Sequence, residues 1–189
     1  MNQSKIGYYA DLFFYPVVLG GFVVFDLTDR GFALHPRWWL AFVGGAMLWT
    51  LVEYLLHRFV YHKVAVVRDL HEMHHAHPSG FYGAPIWVSI IGFSFFLAFF
   101  ALLWGIVIAS GITGGLIAGY ISYLLVHDAV HRWPLGERSW LRNHRLRHLR
   151  HHRHPLPGNF GVTTGFWDVA FGTAIAPKAD VPRFASERR

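Results

Sequence analysis

Thirteen of the 14 histidines fall in two stretches, six between His57 and His77 and seven between His127 and His154, with only His35 outside them. Their spacing repeats. His57 and His62 form H-x4-H, His71, His74 and His75 form H-x2-H-H, His127 and His131 form H-x3-H, and His148, His151 and His152 form H-x2-H-H again. Residues at i, i+3 and i+4 share a helix face, so each H-x2-H-H is expected to present its imidazoles to one point, as are His127 and His131. His57 and His62 are five apart and do not share an ideal helical face, which predicts a helix end or a π-type distortion between them. Neutral imidazole suits iron, zinc, copper or nickel, and ten such groups suffice for two ions at about five each. Spacing does not choose among these metals.

The other histidines read differently. His77 and His154 each precede a proline and mark segment ends, and His35 stands apart. His144 forms an alternative H-x3-H with His148, so a register that uses it in place of His151 stays open. A lone histidine at a helix end is ordinarily solvated, but four spaced clusters beside a cationic segment are poorly explained as unpaired titratable groups. A ligating histidine usually donates its second N–H to a carboxylate or carbonyl. Glu53, one helical turn before His57, Glu72 beside His71 and Asp128 beside His127 are the candidates, with snorkelling or ion pairing to Arg58 and Arg132 the equal alternative. Asp168 is expected to cap or pin the C-terminal segment. Arg142, Arg145, Arg147, Arg150 and Arg153 alternate with the last histidines and suit an anionic lipid surface, at about 1 kcal/mol each. The absence of cysteine excludes disulfides, zinc–thiolate sites, cysteine-ligated iron–sulfur clusters and thiol nucleophiles.

The elements that must hold these groups are apolar. The 189 residues are 53% hydrophobic and only 15% charged, where soluble domains carry about 25% charged residues. Between Glu72 and Arg132 the one charged residue is Asp128. The expectation is a single domain over 1–189, all-α, an integral membrane bundle of about four transmembrane helices with a histidine-rich helical cap. The crossings are placed at Leu12–Phe25, Trp38–Leu56, Ile86–Ser110 and Ile112–Val126, with Ser110, Gly111, Thr113, Gly114 and Gly115 as the hairpin between the last two. The first is short, and a re-entrant segment is its alternative. Asp26-Leu27-Thr28-Asp29-Arg30 offers no small-residue site for signal cleavage.

Four crossings put both termini and both histidine stretches on one side, together with 15 of the 17 Lys and Arg residues. The positive-inside rule places that side, with the metal site, in the cytoplasm. The net charge of +6 is then a membrane signature rather than a nucleic-acid footprint.

Three features, read with their flanks, resemble the fatty acid hydroxylase superfamily, the membrane non-haem di-metal group that includes sterol desaturases and carotenoid hydroxylases. They are Glu53-Tyr54-Leu55-Leu56-His57-Arg58-Phe59-Val60-Tyr61-His62, the four histidine boxes in order, and Asn159-Phe160-Gly161-Val162-Thr163-Thr164-Gly165-Phe166-Trp167-Asp168. The last of these, continuing to Phe171-Gly172-Thr173, is especially similar to the fatty acid 2-hydroxylase branch. The resemblance covers about 48–173. It implies metal ligation by His57, His62, His71, His74, His75, His127, His131, His148, His151 and His152. It further implies two iron ions, with zinc compatible in a purified sample, and O2-dependent hydroxylation or desaturation of a lipid chain. The sequence departs from the larger fatty acid 2-hydroxylases in having no fused cytochrome b5 domain, so the expected electron donor is separate, cytochrome b5-like or ferredoxin-type. It also resembles the short carotenoid hydroxylases in size and in His127-Asp128-Ala129-Val130-His131-Arg132-Trp133-Pro134, which makes a carotenoid ring or sterol the alternative substrate. A non-redox metal-binding membrane protein is the alternative from another class, although transport predicts ionisable residues midway through the crossings.

Overall fold

The structure, a computed structural model, describes residues 3–29, 35–136, 138–153 and 158–176. His154 and five of the basic residues counted above, at 30, 178, 183, 188 and 189, lie outside them. Among the described residues the fold is helical, with no strand. The elements are α1 (Lys5–Asp29), α2 (Pro36–Leu55), a π-helical turn (Leu56–Tyr61), α3 (Ala65–Ala76), α4 (Ile86–Arg132), α5 (Leu141–Arg153) and the short α6 (Phe166–Ala170).

Among the described residues three helices are long and apolar enough to cross a membrane: α1, α2 with its π turn, and α4. At 25 residues α1 is a continuous helix of about 37 Å, long enough to cross, which removes the re-entrant alternative. It carries Pro16 in its interior, a feature membrane helices tolerate. Pro36 opens α2 at its first turn, where its missing N–H is no loss.

The 47 residues of α4 are interrupted at Gly105, whose φ of 77° and ψ of 164° are non-helical. Gly105 is the vertex of a hairpin. The rings of Phe93 and Tyr120, one on each arm, lie 5.4 Å apart, and Ser89 and Tyr120 both donate to Asp11 Oδ1, at 2.6 and 3.2 Å. The third candidate span is thus folded into two apolar arms, with the turn at Gly105 rather than at 110–115.

The small residues expected to make that turn lie inside the second arm and pack it on α2. A Cβ on Gly111 would come within 2.8 Å of the Trp38 carbonyl oxygen, one on Gly115 within 1.9 Å of the Phe42 carbonyl oxygen, and one on Gly119 within 2.5 Å of the Trp49 side chain. Spaced by four, these glycines form a ridge that lets the two backbones touch. Lipid offers no hydrophobic drive for helix association, so close approach of this kind, with a bond from Trp38 Nε1 to Ser110 Oγ at 3.0 Å, supplies the packing. Tyr15, Trp49, Phe93 and Tyr120 fill the centre, while Phe95 and Phe99 face outward with Phe13, Leu40, Met47 and Leu102.

At one end of the bundle Arg132 ties three segments together. Its guanidinium lies 4.5 Å from the Tyr8 ring centre and 4.6 Å from that of Phe81, pairs with Asp128 at 2.6 Å, and donates to the Gly80 carbonyl at 2.9 Å. The start of α1, the α3–α4 connection and the end of α4 therefore meet at the end where the histidines gather.

Candidate metal centre

Five residues advance an α-helix by 500°, which would point His57 and His62 about 140° apart. The chain avoids this by winding Leu56–Tyr61 as a π-helix, whose wider turn returns a residue five positions later to the same face. The two rings then stack at 5.3 Å. The distortion expected from the H-x4-H spacing is present.

Each H-x2-H-H box is divided between two places rather than aimed at one point. His57, His62, His71, His75 and His151 form one cluster, and His74, His131, His148 and His152 form a second, with the ligand atoms of each within 4.8 Å of one another. From α3 the i and i+4 residues enter the first cluster and the i+3 residue the second; from α5 the i and i+4 residues enter the second and the i+3 residue the first. Helical geometry explains the division: i and i+4 are nearly superposed, whereas i+3 leans to the other side of that line. In the first cluster His71 Nε2 lies 3.0 Å from both His57 Nε2 and His75 Nε2. In the second, His148 Nε2 lies 2.8 Å from His131 Nε2 and 3.0 Å from His152 Nε2. The rings of His75 and His152 stack at 4.1 Å, so the clusters share a wall. His127 adjoins the second cluster, its ring 4.8 Å from those of His74 and His131, and stacks on Tyr123 at 5.5 Å.

Backbone carbonyls fix the tautomers of two first-cluster histidines. His57 Nδ1 donates to the Phe160 carbonyl at 2.6 Å and His151 Nδ1 to that of Gly158 at 2.8 Å, which leaves each Nε2 lone pair directed into the cluster. The loop carrying these carbonyls is clamped from both sides. Glu53 accepts from the N–H groups of Val162 and Thr163 and from the Thr163 hydroxyl. Asp168 accepts from the N–H groups of Phe160 and Gly161, at 2.7 and 2.9 Å, and from the Thr173 hydroxyl. Asp168 pins the C-terminal segment as expected. Within the loop Asn159 adopts φ of 55°, the left-handed region that Asn tolerates best after Gly, and its Oδ1 accepts from Ile175 N–H.

Among the described residues none of the three candidate carboxylates takes a histidine N–H. Glu53 acts one step removed, through the loop. Glu72 is exposed and faces Arg68 at 3.7 Å. Asp128 binds Arg132, Tyr9 and Trp133. The orienting partners lie in the loop instead, and because a carbonyl is present at every residue no residue type marks them. His144 lies apart from both clusters. Its Nδ1 bonds the Val162 carbonyl at 2.9 Å, outside both clusters, so it steadies the loop. His77 lies against Tyr82, and His35 faces Asp26 at 3.9 Å at the far end of the bundle.

Electrostatics favour the neutral, metal-binding form. Burial, reinforced by neighbouring imidazoles, lowers His74 and His151 to about 3 and His75 to about 4, and likewise pushes His71, His148 and His152 well below the usual imidazole range. Among the described residues His74 Nε2 is buried with no hydrogen-bond partner. A directed, unpartnered nitrogen among neutral imidazoles is what a bound metal ion requires, so the donor set fits two neighbouring ions.

A family model for fatty acid hydroxylases matches residues 42–173. The chain belongs to the fatty acid hydroxylase family. It is 32% identical over 151 residues to a fatty acid 2-hydroxylase of Rattus norvegicus, covering 74% of this chain and 40% of that one. It is 34% identical over 159 residues to the ceramide very long chain fatty acid hydroxylase SCS7 of Saccharomyces cerevisiae, covering 77% and 41%. With the dihydroceramide fatty acyl 2-hydroxylase FAH1 of Arabidopsis thaliana the identity is 32% over 154 residues, covering 72% and 61%. The chain thus spans about two fifths of the length of the rat and yeast relatives. A solved structure described as full-length scs7p, with only its hydroxylase domain visible, matches with a TM-score of 0.76 and 29% identity, covering 92% of this chain and 68% of that one. In this family member all four boxes and the clamped loop fall within the matched residues.

Proposed function

We propose that the chain is a membrane-bound non-haem di-iron monooxygenase that hydroxylates a lipid acyl chain, in the manner of the fatty acid 2-hydroxylases it is similar to. The observation that carries this reading is the pair of adjoining imidazole clusters at the ends of membrane helices. His57, His62, His71, His75 and His151 would hold one iron and His74, His127, His131, His148 and His152 the other. When bound, the two ions supply O2 activation and conversion of one C–H bond to C–OH, with two electrons and two protons from outside the chain.

The chain's own residues keep the imidazoles neutral, aim them through the loop carbonyls and hold the clusters at fixed separation. Position follows from the same geometry. Because the site lies where α2 and α4 end, an acyl chain in the bilayer reaches it without leaving an apolar environment. The basic residues on the histidine side support a cytoplasmic face. Electrons then come from a separate cytoplasmic carrier, cytochrome b5-like or ferredoxin-type.

Lipid mass spectrometry of cells with and without the gene, grown under labelled O2, tests the reading. The expected result is one labelled oxygen on a fatty acyl chain, lost in His74→Ala and His151→Ala variants together with bound metal. Labelled oxygen on a carotenoid ring instead would move the substrate assignment. Metal retention with no oxygenated lipid would remove the oxygenase assignment in favour of a metal-binding protein.

A further inference from the structure

The segment from Phe166 to Phe171 has two faces with different surroundings. Inward, Asp168 is buried in the loop that orients His57 and His151. Outward, Phe166, Val169 and Phe171 are 61%, 74% and 50% exposed, a cluster of large apolar side chains on a helix of only five residues and its C-cap. Its depth is set by α2. Trp167 Nε1 donates to Thr50 Oγ1 at 3.0 Å, and the Phe171 ring stacks on Tyr54 at 5.3 Å. With 20 residues α2 is about 30 Å long, the thickness of a bilayer's hydrocarbon core. Thr50 therefore lies about 8 Å inside the end of α2 nearest the histidines. Leu40, Val43 and Met47, exposed and spaced by three and four, form an outward stripe of α2 that leads to Thr50. The apolar face of α6 continues that stripe, and Arg138, Arg142 and Arg153 on the same cap are exposed and cationic, as an anionic leaflet favours.

We propose that Phe166–Phe171 is a membrane wedge: α6 enters the hydrocarbon edge of the leaflet on the histidine side, with Phe166, Val169 and Phe171 among lipid chains. The wedge reaches about 5–10 Å below the headgroup boundary, the usual depth of interfacial helices. Its other face holds the metal-orienting loop through Asp168, so the lipid surface becomes one of the supports of that loop. The proposal stands on the membrane spans alone and is read on metal-free protein, so its failure is separate from failure of the proposed chemistry.

The natural absence of cysteine allows a direct test. Single variants Val169→Cys, Phe166→Cys and, as a control on exposed α5, Asn143→Cys are labelled with an environment-sensitive fluorophore. The full chain is placed in nanodiscs of phosphatidylcholine with a minority of phosphatidylglycerol. The expected result is blue-shifted emission at 169 and 166, quenching by lipids spin-labelled near the headgroup, and loss of quenching by aqueous iodide, with the reverse at 143. Iodide quenching at 169 and 166 equal to that at 143 overturns the proposal. Protection that vanishes when each nanodisc holds a single chain also overturns it, and assigns the face to a second copy. Adding Val169→Asp to the labelled Phe166→Cys variant should return that label to water; unchanged lipid quenching would count against the wedge.

Discussion

Replacing Glu53 by Ala should empty one metal site before the other. Glu53 is 3% exposed and accepts from two loop N–H groups and one hydroxyl. Val162 N–H is buried and left without a partner by the substitution, whereas half-buried Thr163 can recruit water. A buried unsatisfied donor costs about 1–3 kcal/mol and a hydrogen bond to a charged group is worth about 1.5–3 kcal/mol, so the loop loses about 2–4 kcal/mol. Part of that loss is absorbed by the clamp from Asp168. The remainder reaches the metal through His57 and His151, whose carbonyl partners lie in the loop and which both belong to the first cluster. Loss of such an orienting partner typically weakens metal binding by about 10–100-fold. Competition with a chromophoric chelator, followed by elemental analysis, should therefore find a chelator concentration at which the parent protein keeps two ions and Glu53→Ala keeps one. Glu53→Gln, which retains an acceptor for Val162 N–H, should lie between them. In a His62→Ala background, where the first cluster is already disabled, Glu53→Ala should add little, as coupled sites require. Equal loss from both clusters, or no loss, would refute the path from Glu53 through the loop to His57.

Other consequences are open to simpler measurements. Gly105→Ala should lower thermal stability by about 1–3 kcal/mol through its positive φ alone, because an added Cβ meets nothing within 4 Å. Gly44→Ala, equally open but helical, should be neutral or slightly stabilising, as calorimetry in detergent would show. His144→Ala should retain two ions while His74→Ala loses metal, measured by elemental analysis of the purified proteins. Metal-free protein should lose stability as pH falls. His74, His75 and His151 are held neutral in the fold at pKa values near 3 to 4, whereas the unfolded chain takes up protons near 6.5. Below 6.5 the unfolded state binds more protons, so the melting temperature drops steadily from there towards pH 4. A flat profile over that window would show that the imidazoles are open to water.

The sequence made the ligand types legible because histidines at helical spacing are a discrete pattern. The π turn was legible for the same reason: a separation of five is wrong for an α-helix and right for a wider one. The hairpin was misplaced because glycine has two roles in a membrane helix. Gly111, Gly115 and Gly119 recur every four residues, the mark of a packed face, whereas Gly105 stands alone and turns the chain. The division of each histidine box was hidden by treating i+3 and i+4 as one direction. The orienting carbonyls were hidden altogether, since a carbonyl's role depends on the fold around it rather than on the residue that bears it.

The crossed arrangement of the two boxes has an architectural consequence. Because α3 and α5 each lend histidines to both clusters, an approximate two-fold exchange relates the halves of the site: a helix-end histidine pair plus two residues of one box and one of the other. Neither half of the chain can therefore assemble a complete binding site by itself, and displacing one cap helix dismantles both. Such an interlock ties both clusters to the seating of the cap helices, whereas a change acting only through the carbonyl-bearing loop, such as Glu53→Ala, reaches the first cluster alone.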